Sequence, residues 1–417
     1  MTTPLQTSLD TPHEAAGLAV VRRLRERGFV AYFAGGCVRD RLLGCPPKDV
    51  DVATSATPDE VKSSFRRTIE VGVAFGVVRV REQGAEVEVA TFRVDGSYTD
   101  GRRPESVRFS TPEEDAKRRD FTINGMFLDP VTREVIDFVG GREDLARKVV
   151  RAIGDPEARF AEDRLRLLRA PRFAARLGFT VEEGTAGAAR LHAAELVSSG
   201  VSQERIHGEL DRILTHASRA RGVALTAELG LLRHALPEAA RDVPRVVAAL
   251  ADLPPRVEPA LAWAVAVHLA GPEGAFAAME RLKASNDART RVQAIVEGVA
   301  SARELPAWST PARIRFLRRK DLQEVLLALR ALLAAGGEAP TPADALEAAW
   351  RAAQADTGPT GLDAKRFVEG ADLKKAGVPP GPVYSRVIPA VEDAQLEGRV
   401  ATKAEALALA LELAQRA

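Results

Sequence analysis

The pattern of apolar residues changes once along this chain, and that change limits the folds open to it. Up to about residue 150, short valine-rich runs alternate with glycines and charged turns, the pattern of strands interleaved with short helices. From about residue 155 the strand pattern stops, and alanine- and leucine-rich segments of helical period continue to Ala417. A chain of 417 residues has room for several structural units and a sizeable buried core. The expected fold class is therefore α+β: an N-terminal head with a mixed β-sheet, followed by an all-helical remainder.

Within the head, "GFVAYFAGG" reads as a strand and a turn, "VRDRLLG" as a helical piece closed by Gly44, and "KDVDVATS" as a strand. Thr57-Pro58-Asp59-Glu60 is a helix start, with a capping residue, a proline in the first turn and acids near the positive end of the dipole. "FGVVRV" and "AEVEVATFRV" predict a hairpin around Gln83-Gly84, and "MFLDPVTREVIDF" a second one with Asp129-Pro130 in its turn. "DPEARFAEDRLRLLRAPRFAARLGF" reads as one long helix, bent at Pro171 and ended by Gly178.

Composition narrows the function classes. Hydrophobic residues make up 46% and charged residues 28%, as in a soluble globular protein, and the net charge is only +1. Any contact with nucleic acid must then come from local basic patches. Two cysteines, Cys37 and Cys45, are too few for a zinc site or a disulfide scaffold. The N-terminus has no basic start followed by an apolar run, and the longest apolar stretch, near "LAWAVAVHLAG", is too short to span a bilayer. A cytoplasmic protein without a membrane partner is expected. The six histidines are scattered, with no His-Asp pair of a metal-dependent phosphohydrolase.

The chemistry is concentrated near residue 50. Asp49 and Asp51 lie two apart on the expected strand, so their carboxylates share a face and can hold hard divalent ions. The competing reading is a solvated strand edge. Gly35-Gly36 falls between a strand and a helix, where backbone N–H groups can wrap an anion, and Arg39 follows on that helix's first turn. A phosphate-cradling loop ahead of a two-carboxylate strand points to metal-assisted nucleotidyl transfer from a nucleoside triphosphate.

"AGGCVRDRLLGCPPKDVDVATSATPDEV" resembles the opening of the tRNA nucleotidyltransferase and bacterial poly(A) polymerase family, class II of the polymerase-β-like nucleotidyltransferases. Further motifs resemble that family in order: "VEVATFR", "RVDGSYTDGRRPESVRF", "RRDFTING", "DFVGGREDL", "AEDRLRLLRAPRFAARLGF", "QERIHGEL" and "GADLKKAGVPPGP". The match is dense over residues 30–215 and thin over about 216–360. The resemblance implies a polymerase-β-like head at 1–140, a base-selecting neck at 141–215, a body at 216–335 and a tRNA-binding tail at 336–417.

It also implies roles. Asp49 and Asp51 would hold Mg²⁺, and Glu88 would be the third acid, although Glu86 shares its face and is open on the residues alone. Gly35, Gly36, Arg39, Arg119, Asp120 and Asn124 would meet the phosphates and ribose of the nucleotide. Asp163 and Arg166, three apart on the expected helix, would read the base edge in place of a nucleic-acid template, with Arg169 beside them. The alternative there is a surface salt bridge. Arg172 and Arg176 continue an arginine stripe that, with Lys374 and Lys375, would track RNA phosphates. The segment 93–109 would be the family's flexible loop.

The implied activity is template-independent addition of C, C and A to the 3′ end of tRNA from CTP and ATP, with no obligate protein partner. Alternatives are a poly(A) polymerase, against which Gly76 in "VGVAFGVVRV" speaks, and a CC-adding or A-adding partial enzyme. A small-molecule nucleotidyltransferase would not need the long helical remainder. A non-catalytic RNA-binding protein would not need all three acids.

Overall fold

Short valine runs between glycine turns build, in the computed structural model of this chain, a seven-stranded mixed sheet. Residues 11–72, 76–95 and 107–416 are described. The first ten residues, residues 73–75 including the Phe75 that opens "FGVVRV", the heart of the expected loop at 96–106 and Ala417 lie outside them. The chain divides into two units, Met1–Ala240 and Arg241–Ala417.

The first unit begins with α1 (Pro12–Glu26), then β1 (Ala31–Ala34), α2 (Gly36–Leu42), β2 (Asp51–Thr54) and α3 (Pro58–Ser64). β3 (Thr68–Gly72), β4 (Val77–Glu82) and β5 (Ala85–Thr91) complete one side of the sheet. β6 (Arg93–Asp95) and β7 (Val107–Phe109) pair separately, and β8 (Phe127–Leu128) and β9 (Val135–Ile136) close the other side. The order is β3-β4-β5-β2-β1-β8-β9, with β2 and β5 parallel and the other neighbours antiparallel.

Local sequence explains much of this. Gln83 and Gly84 both take positive φ, 47° and 83°, as a tight two-residue hairpin turn requires. Asp129 Oδ1 accepts from the backbone N–H groups of Val131 and Thr132, which fixes the β8–β9 turn. Thr57 and Glu60 form a reciprocal capping box at the start of α3.

The strand pattern does not stop completely at residue 155: after α4 (Pro112–Lys117) and α5 (Gly141–Arg147), β10 (Val149–Val150) pairs in parallel with β11 (Thr180–Val181). Between them, the long helix expected from the sequence is two helices, α6 (Pro156–Glu162) and α7 (Arg166–Leu177). The break falls at residues 163–165, because Asp163 takes an extended conformation and its Oδ1 accepts from Leu165 N at 3.0 Å. A short acidic side chain that bonds its own backbone competes with the helical ladder. α7 continues through Pro171 and ends at Gly178, with φ +73°. Its apolar face is part of the head's core: Ala170, Phe173 and Ala174 cluster with Val38, Val52, Val89, Phe121 and Ile123. α8 (Glu183–Leu191), α9 (Glu195–Ser198), α10 (Gln203–Leu214) and α11 (Arg219–Glu228) follow.

The second unit is helical throughout its described residues, from Val243–Asp252 to Lys403–Gln415. Two arginines of its "RIRFLRR" cluster, Arg315 and Arg318, converge with Arg366 on Glu392, a buried carboxylate 5% exposed. A charge that buried needs such partners.

Candidate active site

β1 ends at Ala34, opposite Asp51. Gly35 then turns the chain into α2 with φ +74°, and a Cβ there would stand 3.1 Å from Arg119 Nη1. Glycine therefore meets two demands, a left-handed backbone and close approach of a guanidinium. The early end of β1 also settles where Asp49 lies. The expected strand from residue 48 begins only at Asp51, because β1 supplies no partner beyond Ala34. Asp49 sits in the bend before it, exposed, and the alternation argument does not reach it.

The acid that stands next to Asp51 comes from β5. The parallel register places Glu88 directly beside Asp51, whereas Glu86, two residues away, is ion-paired with Arg79 at 3.3 Å. Packing against protein, and then the charges of Glu88 and Asp49, push the Asp51 carboxyl up to about 6, while Arg119 pulls it down. Asp51 still opens to solvent at the cleft. Among the described residues no group of three or more His, Cys, Asp or Glu side chains is arranged as a closed metal site. Cys37, behind the glycine pair, is buried and donates to Ala34 O, and burial followed by the Asp51 charge pushes its thiol up to about 12. It is a packed, protonated thiol rather than a reactive one.

The segment after α4 carries a buried polar chain. Asp115, 1% exposed, holds both Arg118 at 2.8 Å and Arg119 at 3.0 Å. Asp120 Oδ1 accepts from Phe121 N and from Asn124 Nδ2 at 3.1 Å, and Asn124 Oδ1 accepts from Arg39 Nη1 at 2.6 Å. On the other side, Arg169 Nη2 lies 2.6 Å from Asp120 Oδ2 as an ion pair. Burial alone would raise the Asp120 carboxyl, but Arg169 and its hydrogen bonds hold it below the ordinary carboxylate range. Arg39, Asn124, Asp120 and Arg169 thus tie α2, the 118–125 segment and α7 together.

Asp163 and Arg166 both border the same cleft, but not as a pair. Asp163 accepts from Arg205 Nη2 of α10 at 2.9 and 3.1 Å. Arg166, 8% exposed, donates to Glu162 at 2.6 Å, to Arg159 O and to Arg118 O. Each side chain is held by neighbours of its own and presents a fixed edge. The cleft measures about 510 Å³, with Gly35, Gly36, Asp51 and Glu88 at one wall and Asp163, Arg166 and Arg169 at another.

Three family models match successive parts of the chain. "Poly A polymerase head domain" covers residues 31–151, "Probable RNA and SrmB- binding site of polymerase A" covers 178–242, and "tRNA nucleotidyltransferase domain 2 putative" covers 258–411. A CCA-adding enzyme of Limosilactobacillus fermentum is 35% identical over 392 residues, spanning 93% of this chain and 94% of that one. The chain belongs to the CCA-adding enzyme family. A relative from Geobacillus stearothermophilus is 39% identical over 293 residues, 70% of this chain and 72% of its own. The crystal structure of the Bacillus stearothermophilus CCA-adding enzyme in complex with CTP superposes with a TM-score of 0.77 at 31% identity, covering 97% of this chain and 98% of that one. The fold is also that of the Thermotoga maritima CCA-adding enzyme complexed with tRNA, at TM-score 0.69 and 20% identity.

In this member of the CCA-adding enzyme family the arginine stripe is divided rather than continuous. Arg166 and Arg169 turn to the cleft, Arg172 is ion-paired with Glu209 at 2.5 Å, and Arg176 is exposed. Lys374 and Lys375 end a short helix in the second unit, both exposed. Several site residues escape a reading of the sequence. Arg205, Glu162 and Asp115 hold the candidate nucleotide contacts in place. Phe173, which borders the cleft, carries the Arg172 guanidinium 4.1 Å above its ring, with Arg39 and Arg169 also within 5.6 Å. Of these, Glu162 and Asp115 are within one helical turn of an arginine and were open to an i,i+3 or i,i+4 search. The Arg205–Asp163 contact spans 42 residues and left no local signal. Among the described residues no helix is long and apolar enough to cross a membrane.

Proposed function

We propose that this cleft is the single active site of template-independent CCA addition. The chain transfers CMP, CMP and then AMP from CTP and ATP to the 3′ end of tRNA and releases pyrophosphate. The observation that carries the assignment is the joint lining of one cleft by an acid pair, Asp51 and Glu88, and a base-edge pair, Asp163 and Arg166. The first suits phosphoryl chemistry and the second suits nucleobase recognition.

The acids fit Mg²⁺. Asp51 and Glu88 offer carboxylate oxygens, the donors a hard cation takes, and they stand side by side in the parallel register of β2 and β5. Asp49 and Asp51 would hold the metal with help from Glu88. Bound there, Mg²⁺ would lower the pKa of the tRNA 3′-hydroxyl and neutralise charge on the leaving pyrophosphate. The chain's own groups supply the rest. Gly35 and Gly36 keep the backbone open to the triphosphate. Arg39 and Arg119 bring positive charge beside it. Asp120 and Asn124 offer acceptor and donor groups for ribose hydroxyls.

Asp163 accepts from the exocyclic amine that C and A share, and Arg166 donates to ring or carbonyl acceptors, so U and G are disfavoured. Arg172, Arg176, Lys374 and Lys375 contact the RNA backbone. The head ends near residue 140, the neck near 215 and the body near 335, with the tail beyond. The test is to incubate the protein with Mg²⁺, labelled CTP and ATP, and tRNA ending at the discriminator base. Addition of C, C and A followed by arrest supports the reading. Unlimited A addition would instead identify a poly(A) polymerase, and no incorporation would end the proposal.

A further inference from the structure

A second concave site in the first unit shares none of the residues that line the reacting cleft and includes Arg172 and Arg176, two of the arginines assigned above to the RNA backbone. α7 and α10, with the turn after α10, enclose a pocket of about 180 Å³ bordered by Arg172, Arg176, Arg212, Thr215 and His216. Every charged group on its border is a cation. Glu209, 2% exposed, is the carboxylate beneath them, and it is shared: Arg172 Nε lies 2.5 Å from one oxygen and Arg212 Nη1 2.7 Å from the other. Three guanidiniums against one carboxylate leave an excess of two positive charges. Burial first, and then the charges of Arg169 and Arg212, lower the pKa of Arg172 against the pull of Glu209.

His216 adds a directed donor. Its Nδ1 accepts from Ser218 N at 3.2 Å, so the neutral ring carries its proton on Nε2. Burial first, and then the charges of Arg176, Arg219 and Lys48, hold the ring below the ordinary histidine range and hence neutral at pH 7. The pocket therefore offers N–H donors around a positive centre, and the Thr215 hydroxyl on its rim donates to Asp211 O. A water's share of liquid volume is about 30 Å³, so there is room for a phosphate group and solvent.

We propose that this pocket binds one backbone phosphate of the RNA substrate, with Arg176 and Arg212 as the charged contacts and His216 as a neutral one. The inference rests on the reading that tRNA is the substrate. It deepens that reading by naming a site for the backbone on the neck, apart from the cleft where the 3′ end reacts. The match of residues 178–242 to a model described as a probable RNA-binding site of polymerase A includes both Arg212 and His216. Free pyrophosphate has the same chemistry and is the competing source.

The test compares Arg212→Ala, Arg212→Lys and His216→Ala with the wild-type protein. Arg212 has a side chain 63% exposed, and Arg172 still pairs with Glu209 in its absence, so the fold should survive its loss. For Arg212→Ala, tRNA binding should weaken roughly 2- to 10-fold. The slope of log K against log salt should flatten by roughly 0.7–0.9, the value of one phosphate contact. The KM for CTP should not move. Arg212→Lys should restore most of the slope. His216→Ala should weaken tRNA binding by a similar factor with the slope unchanged, because the donor it removes is uncharged.

Unchanged tRNA affinity and slope in Arg212→Ala would overturn the proposal. So would a changed inhibition constant for pyrophosphate with an unchanged KM for tRNA, which would make the pocket a product site. Should Arg212→Ala misfold, His216→Ala and Arg212→Lys decide by the same two readouts. A wild-type protein that adds nothing to tRNA contradicts the function proposed above. A wild-type protein that adds CCA, with variants that bind tRNA as it does, contradicts only the pocket.

Discussion

Replacing Asp163 by alanine isolates base selection from the rest of the reaction. Its carboxylate is not a loose surface acid: Arg205 Nη2 holds both oxygens, at 2.9 and 3.1 Å, and Leu165 N donates to Oδ1. The acceptor is therefore oriented before the nucleotide arrives. Arg166 is fixed separately through Glu162 and two backbone carbonyls, so it stays in place when Asp163 is removed. A good bidentate contact to a base edge is worth about 1–3 kcal/mol of discrimination. At 1.36 kcal/mol per tenfold, that is roughly 5- to 160-fold. Asp163→Ala should lose selectivity for C and A over U and G by a factor in that range, with residual transfer retained because Asp51, Glu88 and the glycine loop are untouched. Arg205→Ala keeps the acceptor but frees its orientation and should lose less. The assay measures kcat/KM for all four nucleotides on tRNA ending in -C. If Asp163→Ala loses rate but keeps its selectivity, the carboxylate is an ion-pair partner of Arg205 and the base is read elsewhere.

Two further perturbations follow from the ion pairs and the basic clusters. Arg169→Ala leaves Asp120, 7% exposed, without its cation. Breaking a buried pair costs about 3–5 kcal/mol. The two remaining hydrogen bonds and the partial exposure of Arg169 reduce that to about 2–3 kcal/mol, or roughly 4–12 °C in Tm for a unit of this size. Asp120 titrates below its ordinary value in the folded protein, so its contribution is present above pH of about 4 and is lost as pH falls through the folded value. The Tm gap between wild type and Arg169→Ala should therefore close in acid, and a gap that persists there would point to packing instead. Lys374→Ala with Lys375→Ala should raise the KM for tRNA and leave that for CTP alone, and an unchanged tRNA KM would remove this helix from the RNA surface.

What the sequence reveals and what it hides separate along physical lines. Backbone preferences are local, so the hairpin at Gln83-Gly84, the start at Thr57 and the stop at Gly178 are all apparent from residues beside them. The break at Asp163 is not, because "EDRLRLLR" has the helical period on both sides of it, and only the turn made by its own carboxylate interrupts the ladder. Asp49 reads as a strand residue by alternation, yet the strand's start depends on where β1 ends, which the turn at Gly35 decides from outside the periodic run. The site residues behave alike. Residue types pick out Asp51, Asp120 and Asn124, while Glu88, Asp163 and Arg166 rest on the resemblance to the family, and all six line the cleft. The side chains that hold them, such as Arg205, come from distant segments.

Asp51→Ala tests most directly whether one acid-lined cleft performs both C and A addition, with CMP and AMP incorporation measured in Mg²⁺ on tRNA ending at the discriminator base and at -CC. Both additions should fall below detection together, while tRNA binding and Tm stay near wild type. Loss of one addition with survival of the other, or substantial activity in both, would contradict the account.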